Sequence, residues 1–194
     1  MIYVYLSVLV LGLSGCAGQV PKLSAPPSVA QQTSEHAAQL FREGSALARA
    51  GDLTRAEQYL ATALREGHEP ETTMRALLSV CVRASRLRSA LAYAAPYLTA
   101  HPREVPMRVL VASIQLALGD VRSAERELSR VLKHAPDTAE AEFLLATILQ
   151  QHSQREDEAA QHFASYVRLR PGGIHAEEAR AELGPVEPSA ATVD

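Results

Sequence analysis

Residues 119–136 read GDVRSAERELSRVLKHAP, and the reading of this stretch decides the fold. Gly119-Asp120 is a helix stop followed by a helix start. Glycine takes the left-handed conformation that ends a helix, and aspartate accepts from the free amides of the next one. Val121, Ala124, Leu128, Val131 and Leu132 then follow at helical spacing, an apolar stripe on an otherwise polar segment. Pro136 closes it, because proline lacks the amide a continuing helix needs. Ala124 has counterparts at Ala56 and Ala90, in steps of 34 residues, and Ala159 follows after 35. Pro136 is likewise flanked by Pro102 and Pro171. A fixed period of this length means one helical hairpin copied several times and stacked into an open array.

Working outward, each unit has a first helix, a polar turn and a returning second helix. The turns fall at Gly51-Asp52, Ser85-Arg86, Gly119-Asp120 and, one residue longer, His152-Ser153-Gln154. Asp137-Thr138-Ala139-Glu140 has the form of a capping box opening the fourth unit. The expected fold is therefore all-α, a right-handed α-solenoid of about four hairpins over residues 35–184. A last helix near Ile174–Leu183, with Glu177, Glu178, Arg180 and Glu182, reads as a polar cap over the open end.

The chain of 194 residues is 47% hydrophobic, has no Trp, and carries a formal charge of −3, which disfavours nucleic acid as a partner. Residues 1–15, MIYVYLSVLVLGLSG, form an apolar run without a charged side chain. That run is too short for a membrane span of about 20 residues and fits a signal h-region. The junction Leu13-Ser14-Gly15-Cys16 resembles the lipobox of bacterial lipoproteins. The resemblance implies cleavage before Cys16, lipid on that cysteine, and, with Ala17 following it, an outer-membrane lipoprotein facing the periplasm or the cell surface. Residues 16–34 read as the lipidated cysteine and a Pro/Ser/Gln-rich linker, and 185–194 as a disordered tail. Cys81, left without an intramolecular partner, falls on an apolar helix face and reads as a small core hydrophobe.

The periodic positions resemble the tetratricopeptide repeat family. With units at 37–70, 71–104, 105–138 and 139–173, Ala56, Ala90, Ala124 and Ala159 take the family's position 20. Gly44, Leu78, Ala112 and Ala146 take position 8, and His68, Pro102, Pro136 and Pro171 take position 32. Leu78 is large for its place. The resemblance implies that the first helices line a concave groove. On it, Ser45, Ser79, Ser113 and Thr147 would form a hydroxyl column, with Phe41, Arg75, Val109 and Phe143 beside them. Leu116 and Gln150 would lie further along, and Arg49, Arg75 and Arg83 would make a basic zone. The expected ligand is an extended or helical segment of a protein partner, packed on Phe41 and Phe143 with acidic groups toward the arginines. The alternative for the column is that these are small residues tolerated at helix contacts.

Nothing in the chain has the spacing of HExxH, a Cys/His zinc site, a Gly-rich phosphate loop or GxSxG, so neither catalysis nor a metal or cofactor is expected. The seven histidines fall mostly at helix ends, and Glu156, Asp157 and Glu158 open a helix, where negative charge is favoured. The expected function is a membrane-anchored scaffold or assembly factor of the bacterial envelope. Its layout resembles the pilotin-like lipoproteins of type IV pilus assembly. A structural homo-oligomer, or a cytosolic co-chaperone or regulator if the N-terminus is no signal, stay open as alternatives.

Overall fold

The computed structural model describes residues 29–152 and 155–184. The signal segment, Cys16 and the 185–194 tail lie outside them. Nine helices follow in order among the described residues: α1 (Val29–Arg49), α2 (Leu53–Arg65), α3 (Pro70–Arg83), α4 (Leu87–Ala100), α5 (Val105–Ala117), α6 (Val121–His134), α7 (Ala139–His152), α8 (Glu156–Leu169) and α9 (Ala176–Glu182). Four hairpins and a short closing helix result, the all-α repeat fold expected from the period. None of these helices is long and apolar enough to cross a membrane. The first helix begins earlier than residue 35, so Val29 to Ser34 are helical and exposed rather than part of a linker.

The turns are built alike. Gly51 and Gly119 sit at φ +86° and +78°, and Ser85 holds the same left-handed conformation at φ +57°. After each, the next amide reaches back to a carbonyl of the helix just ended: Asp52 N to Leu47 O, Arg86 N to Cys81 O, Asp120 N to Gln115 O, all at 2.8–3.0 Å. This is the Schellman closure, which satisfies carbonyls the helix end leaves open. Asp52 and Asp120 then accept from the amides of Arg55 and Ser123 at 3.0 and 3.2 Å, capping α2 and α6. Arg86 and Arg155 stand in the corresponding places before α4 and α8 and make no such bond. The pattern at 137–140 works differently from a capping box. Thr138 donates its hydroxyl to Ala135 O at 2.8 Å, and Glu140 reaches Arg170 at 3.5 Å. Pro102, Pro136 and Pro171 each lie two residues past the end of α4, α6 and α8. The residue before each has left the helical region, at ψ 68–74°, as a following proline favours.

Packing follows the small positions. Ala56, Ala90, Ala124 and Ala159 are all buried, which lets the second helix of each hairpin approach its neighbours. Gly44 marks a tight crossing: a Cβ built there would lie 2.9 Å from Leu60 Cγ. In the second hairpin Leu78 fills that position, fully buried, and α3 and α4 approach less closely than α1 and α2. Two buried clusters result. One spans α1 to α5 around Leu60, Leu77 and Leu78, the other α5 to α9 around Leu128, Ile148 and Phe163. Helix α5 serves both, giving Met107, Val111 and Ile114 to the first and Ala112 to the second. Cys81 belongs to the first cluster, and burial pushes its thiol up to about 11, so at neutral pH it stays a neutral core side chain.

Candidate partner-binding groove

The first helices of the four hairpins, α1, α3, α5 and α7, carry every residue read as groove-lining, and the structure divides those residues into two groups. One group makes contacts within the molecule. Phe143 is 7% exposed: it stacks on His175 at 4.1 Å and packs against Phe163 and Tyr166. It is a core residue and offers a partner no seat. Phe41, half-buried, stacks in the same way on His68 at 4.3 Å. Ser113 and Thr147 donate their hydroxyls to the carbonyls of Val109 and Phe143 one turn back, both at 3.0 Å. That back-bonding is what serine and threonine do inside a helix, so these two behave as small residues at a helix contact. Gln150 donates to the Glu182 carboxylate and thereby ties α7 to α9.

The other group faces out. Arg49, Arg75, Ser79 and Arg83 are exposed, and Val82, next to Arg83 in the chain, is 39% exposed, one of few large apolar residues left so. Ser45, Val109 and Leu116 are half-buried along the same helices. Arg75 is engaged by Glu71 one turn back. Among the described residues Arg49 and Arg83 have no ion-pair partner, and they hold equivalent places in the last turns of α1 and α3. The exposed members of the set thus lie on α1 and α3 and are basic and mildly apolar. Among the described residues no group of three or more His, Cys, Asp or Glu side chains is placed to hold a metal.

Two ion pairs between second helices went unread in the sequence. Glu57 on α2 takes Arg86 before α4 at 2.5 Å and also accepts from Tyr93 at 3.2 Å. Glu125 on α6 takes Arg155 before α8 at 2.8 Å. The two pairs are one device used twice: Asp52 and Glu57 recur 68 residues later as Asp120 and Glu125, and Arg86 recurs as Arg155. The true repeat is a pair of hairpins. At the step between the pairs, from α4 to the start of α6, the corresponding residues are Leu91 and Asp120, which cannot form that bridge. The signal that could have shown this is the alternation of Asp and Arg after the turns, hidden by the stronger 34-residue period.

These features define an all-α helical-repeat protein built from four hairpins and a closing helix. The tetratricopeptide repeat family model matches residues 109–174, the second pair of hairpins. The fold is similar to that of a tetratricopeptide repeat protein from Parabacteroides merdae, with TM-score 0.68 and 22% identity over 77% of this chain. The match spans 59% of that chain's length. It is also similar to YrrB, described as a TPR protein with an unusual peptide-binding site, at TM-score 0.63 and 17% identity over 75% of this chain and 74% of YrrB. MamA from Desulfovibrio magneticus is a further likeness, at TM-score 0.61 and 17% identity over 73% of this chain and 80% of that one. No curated protein matches the chain at a significant level.

Proposed function

We propose that this chain is a protein-binding scaffold that holds a segment of a partner over its first helices, anchored in the bacterial envelope through lipid on Cys16. The observation that carries the groove is the exposed pair Arg49 and Arg83, without ion-pair partners among the described residues, with exposed Val82 next to Arg83 in the chain. Unpaired guanidinium groups beside apolar surface suit the carboxylates of an acidic segment, which arginine binds through paired, charge-assisted hydrogen bonds. The likeness to YrrB, a protein with a peptide-binding site, agrees with this use of the fold. The anchor rests on Leu13-Ser14-Gly15-Cys16 following an uncharged apolar run.

Crosslinking in intact cells, comparing wild type with the Arg49→Glu/Arg83→Glu variant, tests the groove. Loss of a copurifying protein in the variant, with unchanged thermal unfolding, supports it; an unaltered set of crosslinked proteins overturns it. Labelling with an alkyne analogue of palmitate tests the anchor separately. Label lost in Cys16→Ser is the expected result, and label retained there contradicts lipidation of that residue. Sedimentation at several concentrations addresses self-association, which would move function to the outer faces.

A further inference from the structure

An aromatic ring closes the open end of three of the four hairpins. At α1–α2, Phe41 lies flat against His68, with ring centroids 4.3 Å apart. At α3–α4, Tyr97 meets His101 at 4.5 Å. At α7–α8, Phe143, Tyr166 and His175 form one cluster. Tyr97 and Tyr166 occupy equivalent positions in the second helices of their hairpins, one period to either side of Val131. The third hairpin, α5–α6, has Val109 where Phe41 and Phe143 stand and Val131 where the tyrosines stand.

The consequence is an opening. A cleft of about 480 Å³ lies at that end of α5–α6, between the start of α5 and the last turn of α6. Val105, Val131 and Pro102 supply its apolar lining, and Arg103, Arg108, Arg130 and His134 surround it. Arg108 and Arg130 both bind the single carboxylate of Glu127, and Arg108 also donates to Pro102 O at 2.8 Å. Three guanidinium groups therefore border the cleft, two of them shared with the one Glu127 carboxylate, and Arg103 is exposed with no ion-pair partner among the described residues. Neighbouring Glu104 offsets one of these charges, and Arg103, Arg108 and Arg130 against Glu104 and Glu127 still leave the rim net positive. A cleft of this size falls within the range that accepts small ligands, about 300–1,000 Å³.

We infer that this cleft receives an aromatic side chain of a protein partner from a segment whose flanking residues are acidic. The space corresponds to a ring that the other hairpins supply themselves, and the rim carries surplus positive charge. Aromatic anchors in a pocket bordered by arginine are the usual carriers of binding energy at protein interfaces. The site is separate from Arg49 and Arg83, so it stands or falls independently of the groove reading.

The probe is a fluorescein-labelled, C-terminally amidated pentapeptide, Glu-Asp-Phe-Asp-Glu, read by anisotropy and by amide NMR shifts of the labelled protein. Wild type is expected to bind it, with shifts confined to the start of α5, the end of α6 and residues 101–104. Replacing the central Phe by Ala weakens binding about tenfold or more, the loss expected for an anchor residue. Val131→Tyr, which installs the ring found in the neighbouring hairpins, abolishes binding while the unfolding transition is retained. Should that variant fail to fold, Arg103→Ser decides, because the residue is exposed; its affinity falls severalfold and its salt dependence flattens. Binding that ignores the central ring or survives both variants overturns the inference, as does the absence of binding at millimolar peptide. Shifts centred on Arg49 and Arg83 overturn it too. Dimerisation of the protein that Val131→Tyr removes would assign the cleft to a second copy instead.

Discussion

Ser85 does at the second turn what glycine does at the first and third, and it does so at a conformational cost. A side-chain-bearing residue in the left-handed region is disfavoured by roughly 1–2 kcal/mol, whereas glycine takes it freely. Its φ of +57° and the closing bond from Arg86 N to Cys81 O at 2.8 Å fix it there. Ser85→Gly is therefore expected to stabilise the protein by about 0.5–1 kcal/mol, the relief of strain outweighing the extra freedom glycine gives the unfolded chain. Chemical denaturation would show a higher midpoint at unchanged slope, and a lower midpoint would contradict the strain. Gly44 presents the opposite case. It is needed for space, since a Cβ there would press on Leu60 Cγ at 2.9 Å and Tyr59 Cβ at 3.1 Å. Overpacking of this kind costs about 1–3 kcal/mol and outweighs the roughly 1 kcal/mol that alanine gains in helix propensity. Gly44→Ala is expected to lower the midpoint, and a rise would show that α1 and α2 part easily.

Helix termini are where pH enters. Asp52, Glu69 and Asp120 cap α2, α3 and α6, and each carboxyl is held below its ordinary range. For Asp52 the largest cause is the Arg55 backbone amide, for Glu69 and Asp120 hydrogen bonds involving Thr72 and Ser123. A depressed folded-state pKa contributes stability that is complete above the unfolded value, about pH 4, and is lost as pH falls through the folded one. The thermal midpoint should thus be flat from neutral pH to about pH 5 and fall below about pH 4. Asp52→Asn/Glu69→Gln/Asp120→Asn, which removes the titrating groups while leaving side-chain oxygens to cap, is expected to shallow that acid slope. An identical slope would place the acid sensitivity elsewhere. The Asp52 and Asp120 caps, the buried alanines and the prolines past the helix ends were legible because each acts through its own turn or at a fixed step along the chain; the Glu69 cap of α3 was not read. The aromatic–histidine stacks were not. Phe143 and His175 meet across a hairpin and a loop, a contact no local spacing announces, so Phe143 read as surface although it is core. The hydroxyl column was legible as a column, but only geometry shows Ser113 and Thr147 turned onto their own helices.

For the molecule as a whole, the pairing of hairpins predicts where it opens. In a linear array stability is close to a sum of unit and interface terms, so the weakest interface yields first. Within the first pair Glu57 joins α2 to Arg86 and Tyr93; within the second, Glu125 joins α6 to Arg155. The junction between pairs has no equivalent bridge, and α4 and α5 are in less extensive contact than any other two successive helices. Contact between α3 and α5 is likewise slighter than between α1 and α3 or α5 and α7. Helix α4 adds its own weakness, because Pro96 lies inside it and withholds an amide from the helical ladder. Among the described residues, α5 is the one helix that contributes buried side chains to both clusters. Native-state hydrogen exchange in rising denaturant should therefore show α4 and the amides facing it on α5 exchanging through a sub-global opening, below the free energy for α7 and α8. Stabilising that junction should also propagate: filling the α5–α6 cleft with ligand or with Val131→Tyr stiffens the α5 side and should raise protection in α5 more than in α2. Protection that rises and falls uniformly across α2, α4 and α8 would mean that the array unfolds as one unit, and that the hairpin pair is a feature of sequence without a separate energetic identity.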